Sequence, residues 1–318
     1  MRLSASPSLA EGPGPGNREA NREDIKVGDW VDRWLPAGLR PYVRLARLDR
    51  PIGTWLLLFP GWWGIALAAD RWPDLWLLAI FGIGALAMRG AGCTLNDIAD
   101  RKVDAQVART RTRPIPSGAV SVWQALFFMA LELGIGAAVL FSLHRTAILL
   151  GIGVLVLIAT YPFMKRITYW PQFFLGLNFN WGALVGWAAV TGSLGLPAFL
   201  LYIGGIFWTL GYDTIYAHQD KEDDVLVGVK SSALALGDRT RPFLFLFYAG
   251  ASLLWGAAGY ASGLSWPFWI GLLAVVLQLG WQAARVATGN PFDCLAKFKS
   301  NRLTGWLMLA GIVAGHVL

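Results

Sequence analysis

Charge is scarce in this sequence. Asp, Glu, Lys and Arg make up 15% of its 318 residues, against about 25% in an ordinary soluble domain. So few charges cannot clothe a globule of this size, which excludes a soluble enzyme with a uniformly polar surface. Cysteine is limited to two residues and histidine to three. Two isolated cysteines with no histidine at ligand spacing indicate neither a disulfide framework nor a zinc site. A Gly-rich phosphate loop of the Walker type is also missing.

Apolar residues fill the space that charge leaves. They reach 55% of the chain, with 17 Trp and a mean hydropathy of +0.49. Runs long enough to cross a hydrocarbon core of about 30 Å fall near 53–69, 73–95, 122–143, 147–163, 171–191, 197–216, 242–262, 267–287 and 303–318. They are too long and too continuously apolar for barrel strands, and backbone groups in lipid must be satisfied internally. The expected fold is all-α, a polytopic membrane bundle of about nine transmembrane helices.

Basic residues orient that bundle. With these spans, all of the 27 Lys and Arg except Arg71 and Arg145 fall on one side, and positive charge marks the cytoplasmic side. The amino terminus is therefore expected to be cytoplasmic, and Cys93 and Cys294 lie where thiols stay reduced. This asymmetry, together with anionic headgroups, accounts for the net charge of +7 without nucleic-acid binding. Residues 1–27 are rich in Gly, Pro, Ser and Asn and lack the apolar stretch of a signal peptide. From Trp30 to Arg50, apolar residues alternate with Arg as in a segment lying among headgroups. The chain thus reads as a cytoplasmic tail, disordered or interfacial, over 1–40 and a membrane domain over 41–318.

Two acidic clusters stand out against this background. Asn96-Asp97-Ile-Ala-Asp100-Arg-Lys-Val-Asp104 follows the second span and places three carboxylates at i, i+3 and i+7, on one helical face. Stacked carboxylates repel one another, and a hard cation removes the penalty; Mg²⁺ suits oxygen ligands shared with a substrate phosphate. The competing reading is a solvated loop whose acids pair with Arg101, Lys102 and Arg109. The second cluster, Asp213 to Asp224, follows the sixth span; Asp213, Asp220 and Asp224 share a face, and Asp213 lies about a turn inside the span. Four intervening spans put both clusters on the same side of the membrane. Carboxylates that recruit Mg²⁺ beside cations that hold phosphate oxygens describe a diphosphate site. On a membrane-embedded molecule, that points to an isoprenoid diphosphate.

Three segments carry a resemblance to a known family. Asn96–Asp104, the Asp-x-x-x-Asp run at Asp220–Asp224, and Arg50-Pro-Ile-Gly-Thr-Trp55 resemble the UbiA superfamily of intramembrane aromatic prenyltransferases. Gly92–Asp104, Arg113-Pro-Ile-Pro-Ser-Gly118 and Tyr212–Ala217 look most like its branch that prenylates 4-hydroxybenzoate for ubiquinone. The likeness runs from about Tyr42 to the carboxyl terminus.

The resemblance implies a Mg²⁺-dependent enzyme acting on polyprenyl diphosphate and 4-hydroxybenzoate. Its implied metal ligands are Asp97, Asp100, Asp104, Asp220 and Asp224, with Asn96 hydrogen-bonding and Asp213 and Asp223 in support. Lys165 and Arg166 match a basic motif after the fourth span, where they would contact diphosphate or anchor the loop at the membrane. Arg47 resembles an Arg near the aromatic substrate, able to grip its carboxylate; a headgroup contact is the alternative. Arg113 and Lys230 are further phosphate contacts. His218 sits between two acids and could move a proton, and Asn178 reads as an interhelical hydrogen-bond partner. The expected location is multi-pass in a bacterial inner membrane, with the active-site loops cytoplasmic. Other acceptors within the superfamily (haem, homogentisate, dihydroxynaphthoate, a chlorophyll precursor) remain open, as does a cation- or proton-coupled transporter. Transport would favour acids at mid-membrane, whereas these lie at one edge.

Overall fold

The computed structural model describes Ile25, residues 28–106, 110–219, Lys221 and residues 230–318. Most of the proposed tail therefore lies outside the described residues, as do Asp220, Asp223 and Asp224. Among the described residues there are helices and no strands. Two short helices, α1 (Trp30–Trp34) and α2 (Arg40–Leu45), precede α3 (Ile52–Leu67), α4 (Leu75–Asp104), α5 (Val122–Phe141), α6 (Arg145–Ile167), α7 (Pro171–Thr191) and α8 (Leu196–Ala217). Then come a short α9 (Ser232–Leu236), a 3₁₀ turn, α10 (Thr240–Ala261), α11 (Trp266–Arg285) and α12 (Pro291–Val317).

Nine of these helices are long, and each matches an expected span. Seven are apolar and long enough to cross a membrane by composition. The other two are α3, at 16 residues, and α12, whose first half carries Asp293, Lys297, Lys299 and Arg302. Starts are set by proline in the first turn of α7, α8, α11 and α12, where a missing N–H costs nothing. At α12 the Asn290 side chain also accepts from the N–H groups of Phe292 and Asp293.

Contacts divide the chain into two units, residues 51–86 with 134–318, and residues 1–50 with 87–133. In the larger unit α3 packs on α7, α7 on α8, α8 on α10, and α12 on both α11 and α3. Its centre holds Trp63, Trp208 and Trp255, with ring centroids 5.2 to 5.9 Å apart. Each buried indole N–H is satisfied: Trp63 donates to Gly305 O, Trp208 to Asn301 Oδ1 at 2.8 Å, and Trp255 to Leu201 O. Asn301 in turn donates to Gln282 Oε1, which also accepts from the Tyr248 hydroxyl. Replacing Asn301 with Leu strips the Trp208 N–H of its acceptor, a loss of about 1–3 kcal/mol. The melting temperature in detergent should fall by several degrees, and an unchanged value would show the network to be dispensable. Asn178 acts as the sequence suggests: it donates to Leu157 O on α6 at 3.3 Å and to Phe174 O within its own helix.

The smaller unit has its own core of Leu45, Ile115, Val120 and Ala125, flanked by Tyr42, Ile98, Val122 and Phe128. α1 and α2 are tied by Arg44 Nη2 to Asp32 Oδ2 at 2.7 Å, while Trp34 and Leu39 are exposed. Glu132, a carboxylic acid inside α5, is buried against Gly90 of α4, where any Cβ would collide with it.

Candidate active site

α4 runs for 30 residues, about 45 Å at 1.5 Å per residue, and so outruns a hydrocarbon core of about 30 Å. Asp97 lies about 33 Å along it, at the membrane edge; Asp100 and Asp104 follow beyond. The three carboxylates share a face as expected but not an environment. Asp97 is fully buried, Asp104 is buried, and Asp100 and Asn96 are exposed.

What buries Asp97 is a pair of arginines. Arg47 Nη2 donates to Asp97 Oδ1 at 2.7 Å. Arg113 Nη1 donates to the same oxygen at 3.2 Å and to Asp104 Oδ2 at 3.0 Å. Two candidates named separately from the sequence, Arg47 and Arg113, thus converge on the first acidic motif. The carboxylate that Arg47 meets is that of Asp97, and the residue is buried rather than turned out to headgroups.

Backbone geometry places Arg47 there. α2 ends in a Schellman cap: Leu48 N–H donates to Val43 O and Arg47 N–H to Arg44 O. The residue at the left-handed position of such a cap is usually glycine; here it is Arg47, at φ +59°. Holding a bulky L-residue in that region costs about 1–2 kcal/mol, and such strain persists where surrounding structure enforces it. Nearby, burial pushes the Asp49 carboxyl up, against the opposing pull of Arg50 and Arg47.

The larger unit holds the other candidates. Lys165 and Arg166 are exposed at the end of α6. Lys230 N–H donates to Lys165 O at 3.0 Å, and its Nζ donates to Ile167 O and lies 5.3 Å from the Tyr169 ring centre. Lys165 and Lys230 are therefore brought together. Asp213 is half-buried near the end of α8. Beside it Thr214 and Ser232 share a 2.6 Å hydrogen bond, and Ser232 N–H donates to Gln172 Oε1, fastening α9 to α8 and α7. His218 bonds through Nε2 to Thr240 Oγ1, which itself donates to Gly237 O, so the ring nitrogen is the donor. Burial pushes the His218 imidazole down to about 4, leaving it neutral at ordinary pH.

A metal ion can be judged against these positions. Among the described residues no three His, Cys, Asp or Glu side chains cluster closely enough to hold one, and Asp220 and Asp224 lie outside them. Asp100 and Asn96 are exposed, and Asp104 meets Arg113 through Oδ2. That donor set fits Mg²⁺, which takes one or two carboxylates and completes its shell with waters and phosphate oxygens. Glu132 was passed over in the sequence, although a lone acid in an apolar run is a signal in itself. Gln172, Thr214 and Ser232 carried no such signal, since single polar residues gain meaning only from their partners.

Comparison with known proteins places these features in a family. The UbiA prenyltransferase family model matches residues 57–317. A protein from Arabidopsis thaliana named mitochondrial 4-hydroxybenzoate polyprenyltransferase is 46% identical over 99% of this chain and 78% of its own length. The human protein of that name is 48% identical over 96% of this chain and 82% of its own length. Among solved structures, a UbiA homolog from Aeropyrum pernix K1 superposes with a TM-score of 0.70 at 26% identity, covering 82% of this chain and 96% of that one. A homolog from Archaeoglobus fulgidus, solved with GPP and Mg²⁺, shares the fold at a TM-score of 0.62 and 15% identity, covering 86% and 99%. The named relatives are mitochondrial, so they lend no support to the expected bacterial inner membrane. With the family model spanning most of the chain and nearly half of all residues shared with such relatives, this protein belongs to the UbiA prenyltransferase family.

Proposed function

We propose that this multi-pass membrane protein transfers a polyprenyl group from polyprenyl diphosphate to 4-hydroxybenzoate, ortho to the hydroxyl, in ubiquinone biosynthesis. The observation that carries the reading is the 46–50% identity, over most of the chain, to proteins named for this reaction. The bond from the prenyl C1 to oxygen breaks, diphosphate departs with the electron pair, the ring carbon bonds to C1, and a ring proton is lost.

Asp100, Asp104 and Asn96, with Asp220 and Asp224 of the second motif, would hold Mg²⁺, the ion bound in the Archaeoglobus fulgidus homolog. The ion supplies neutralising charge for the departing diphosphate. Lys165 and Arg166 are suited to phosphate oxygens by their exposure and cationic charge, with the half-buried Lys230 beside them and Asp213 and Asp223 in support. Arg47 is suited to the acceptor carboxylate: its Nη1 is buried and has no partner, and a planar guanidinium binds a carboxylate along an edge.

Membranes containing the protein should convert labelled polyprenyl diphosphate to a prenylated product when given 4-hydroxybenzoate, and not when given homogentisate or dihydroxynaphthoate. A product with either of those alone would overturn the acceptor. Diphosphates of graded length in the same assay define the tail accepted.

A further inference from the structure

The first acidic motif does not treat its carboxylates alike. We propose that Asp97 is a positioning residue rather than a metal ligand: it holds Arg47 for the acceptor carboxylate and leaves metal binding to Asn96, Asp100 and Asp104. This rests on the prenyltransferase reading, and within it on Arg47 as the acceptor contact.

Four observations carry the assignment. First, Asp97 has 1% of its side chain exposed, against 11% for Arg47. A Mg²⁺ ion that keeps several waters cannot approach so enclosed a carboxylate, whereas Asp100, one turn further on, is exposed. Second, Asp97 Oδ1 already accepts from both Arg47 and Arg113. A metal ion could reach only Oδ2, which is itself buried. Third, the Arg47–Asp97 pair is joined end-on through one bond, and Arg47 Nη1 and Asp97 Oδ2 are both buried and unpartnered. A buried, charged N–H with no acceptor is costly, and the carboxylate of an anionic ligand bound there would satisfy it. Fourth, the left-handed φ of Arg47 gives the side chain a fixed root, so that Asp97 has only its far end to orient.

Arg113 extends the arrangement. Its Nη1 touches both Asp97 and Asp104 and so links the acceptor-holding acid to a proposed metal ligand within one unit. Asp97 can therefore contribute to acceptor binding without entering the metal's shell.

The test compares full-length Asp97→Asn, Asp100→Ala and wild type in detergent. Mn²⁺ binding in the presence of inorganic diphosphate is read by electron paramagnetic resonance, and binding of 4-hydroxybenzoate and of its neutral analogue 4-hydroxybenzamide by competition. Asp97→Asn should keep Mn²⁺ binding within about twofold while weakening 4-hydroxybenzoate binding about 10- to 100-fold, the loss of an oriented charge-assisted contact. Binding of the amide should be unchanged, and Asp100→Ala should lose Mn²⁺. If Asp97→Asn loses Mn²⁺ as Asp100→Ala does, Asp97 is a metal ligand and the proposal falls. Should Asp97→Asn fold poorly, Arg47→Lys supplies the same reading, because an ammonium keeps the charge but not the two-edged geometry. Unchanged benzoate binding in Arg47→Lys overturns the inference while leaving the prenyltransferase reading intact, which the product assay judges separately.

Discussion

Asp100→Ala should lower prenyl transfer by about 10²- to 10³-fold or more, the range seen when one preorganised stabiliser of developing charge is removed, while leaving the protein's melting temperature unchanged. The contrast within the motif makes the expectation specific. Asp100 is exposed, so its loss opens no cavity and strands no partner, and surface changes of that kind stay within about 0.5 kcal/mol. Asp97, by contrast, is bound to two arginines, and its truncation to Ala would leave buried positive charge uncompensated, at a cost of about 3–5 kcal/mol. An activity loss in Asp97→Ala would therefore mix unfolding with function, whereas in Asp100→Ala it reads as function alone. Chelation with EDTA should abolish transfer and added Mg²⁺ restore it in the wild type, with Asp100→Ala needing far more Mg²⁺ for any rate. Near-normal turnover of Asp100→Ala at ordinary Mg²⁺ would refute its place in the metal site. Calorimetry or a melting curve on the same sample checks the fold.

The second large effect is structural. Gly186→Leu should destroy the packing of α3 on α7. Gly182 and Gly186 lie one turn apart on α7 and face Gly61 and Gly64 of α3. A Cβ on Gly186 would collide with Gly61 O, and one on Gly64 with Ala183 O; one on Gly182 would stand 3.1 Å from Gly61 N. The obstacles are backbone atoms, which cannot swing aside as a side chain would. Helices in lipid associate through close van der Waals packing of small residues, without a hydrophobic force to compensate for a gap. Overpacking costs about 1–3 kcal/mol even where side chains yield, so a loss at the top of that range or above it is expected, with a melting temperature lower by about 6 °C or more or no monodisperse protein. Gly280→Ala provides the control: a Cβ there meets nothing within 4 Å, and the helix should be unchanged or slightly firmer. A Gly186→Leu variant melting within 2 °C of wild type, about the scale of 1 kcal/mol, would show the helices to be further apart than described.

Much of this was legible in the amino-acid sequence. The expected run at 171–191 coincides with α7, Pro171–Thr191, because a proline opens it and Gly192 closes it. Two boundaries were missed in the same direction. The apolar run read as 303–318 belongs to a helix that begins at Pro291, and the run ending near 95 belongs to one that continues to Asp104. Hydropathy reports where lipid touches a helix, while the i to i−4 hydrogen bonds continue into charged sequence without it. The extra turns matter, since they are the ones that bear Asp97, Asp100 and Asp104.

Composition, the spacing of apolar runs and the side on which basic residues collect determined that this chain is a helical membrane bundle with acids at one edge. Those properties are sums over many residues, and no single contact is needed to read them. The division of labour within the first motif was decided by tertiary structure alone. Asp97, Asp100 and Asp104 are the same residue at regular spacing, and only the arrival of Arg47, 50 positions earlier, and Arg113, 16 later, makes one a buried partner and leaves another open to a metal ion. The charge of a carboxylate is written in the sequence, but its availability depends on which neighbours the fold delivers to it.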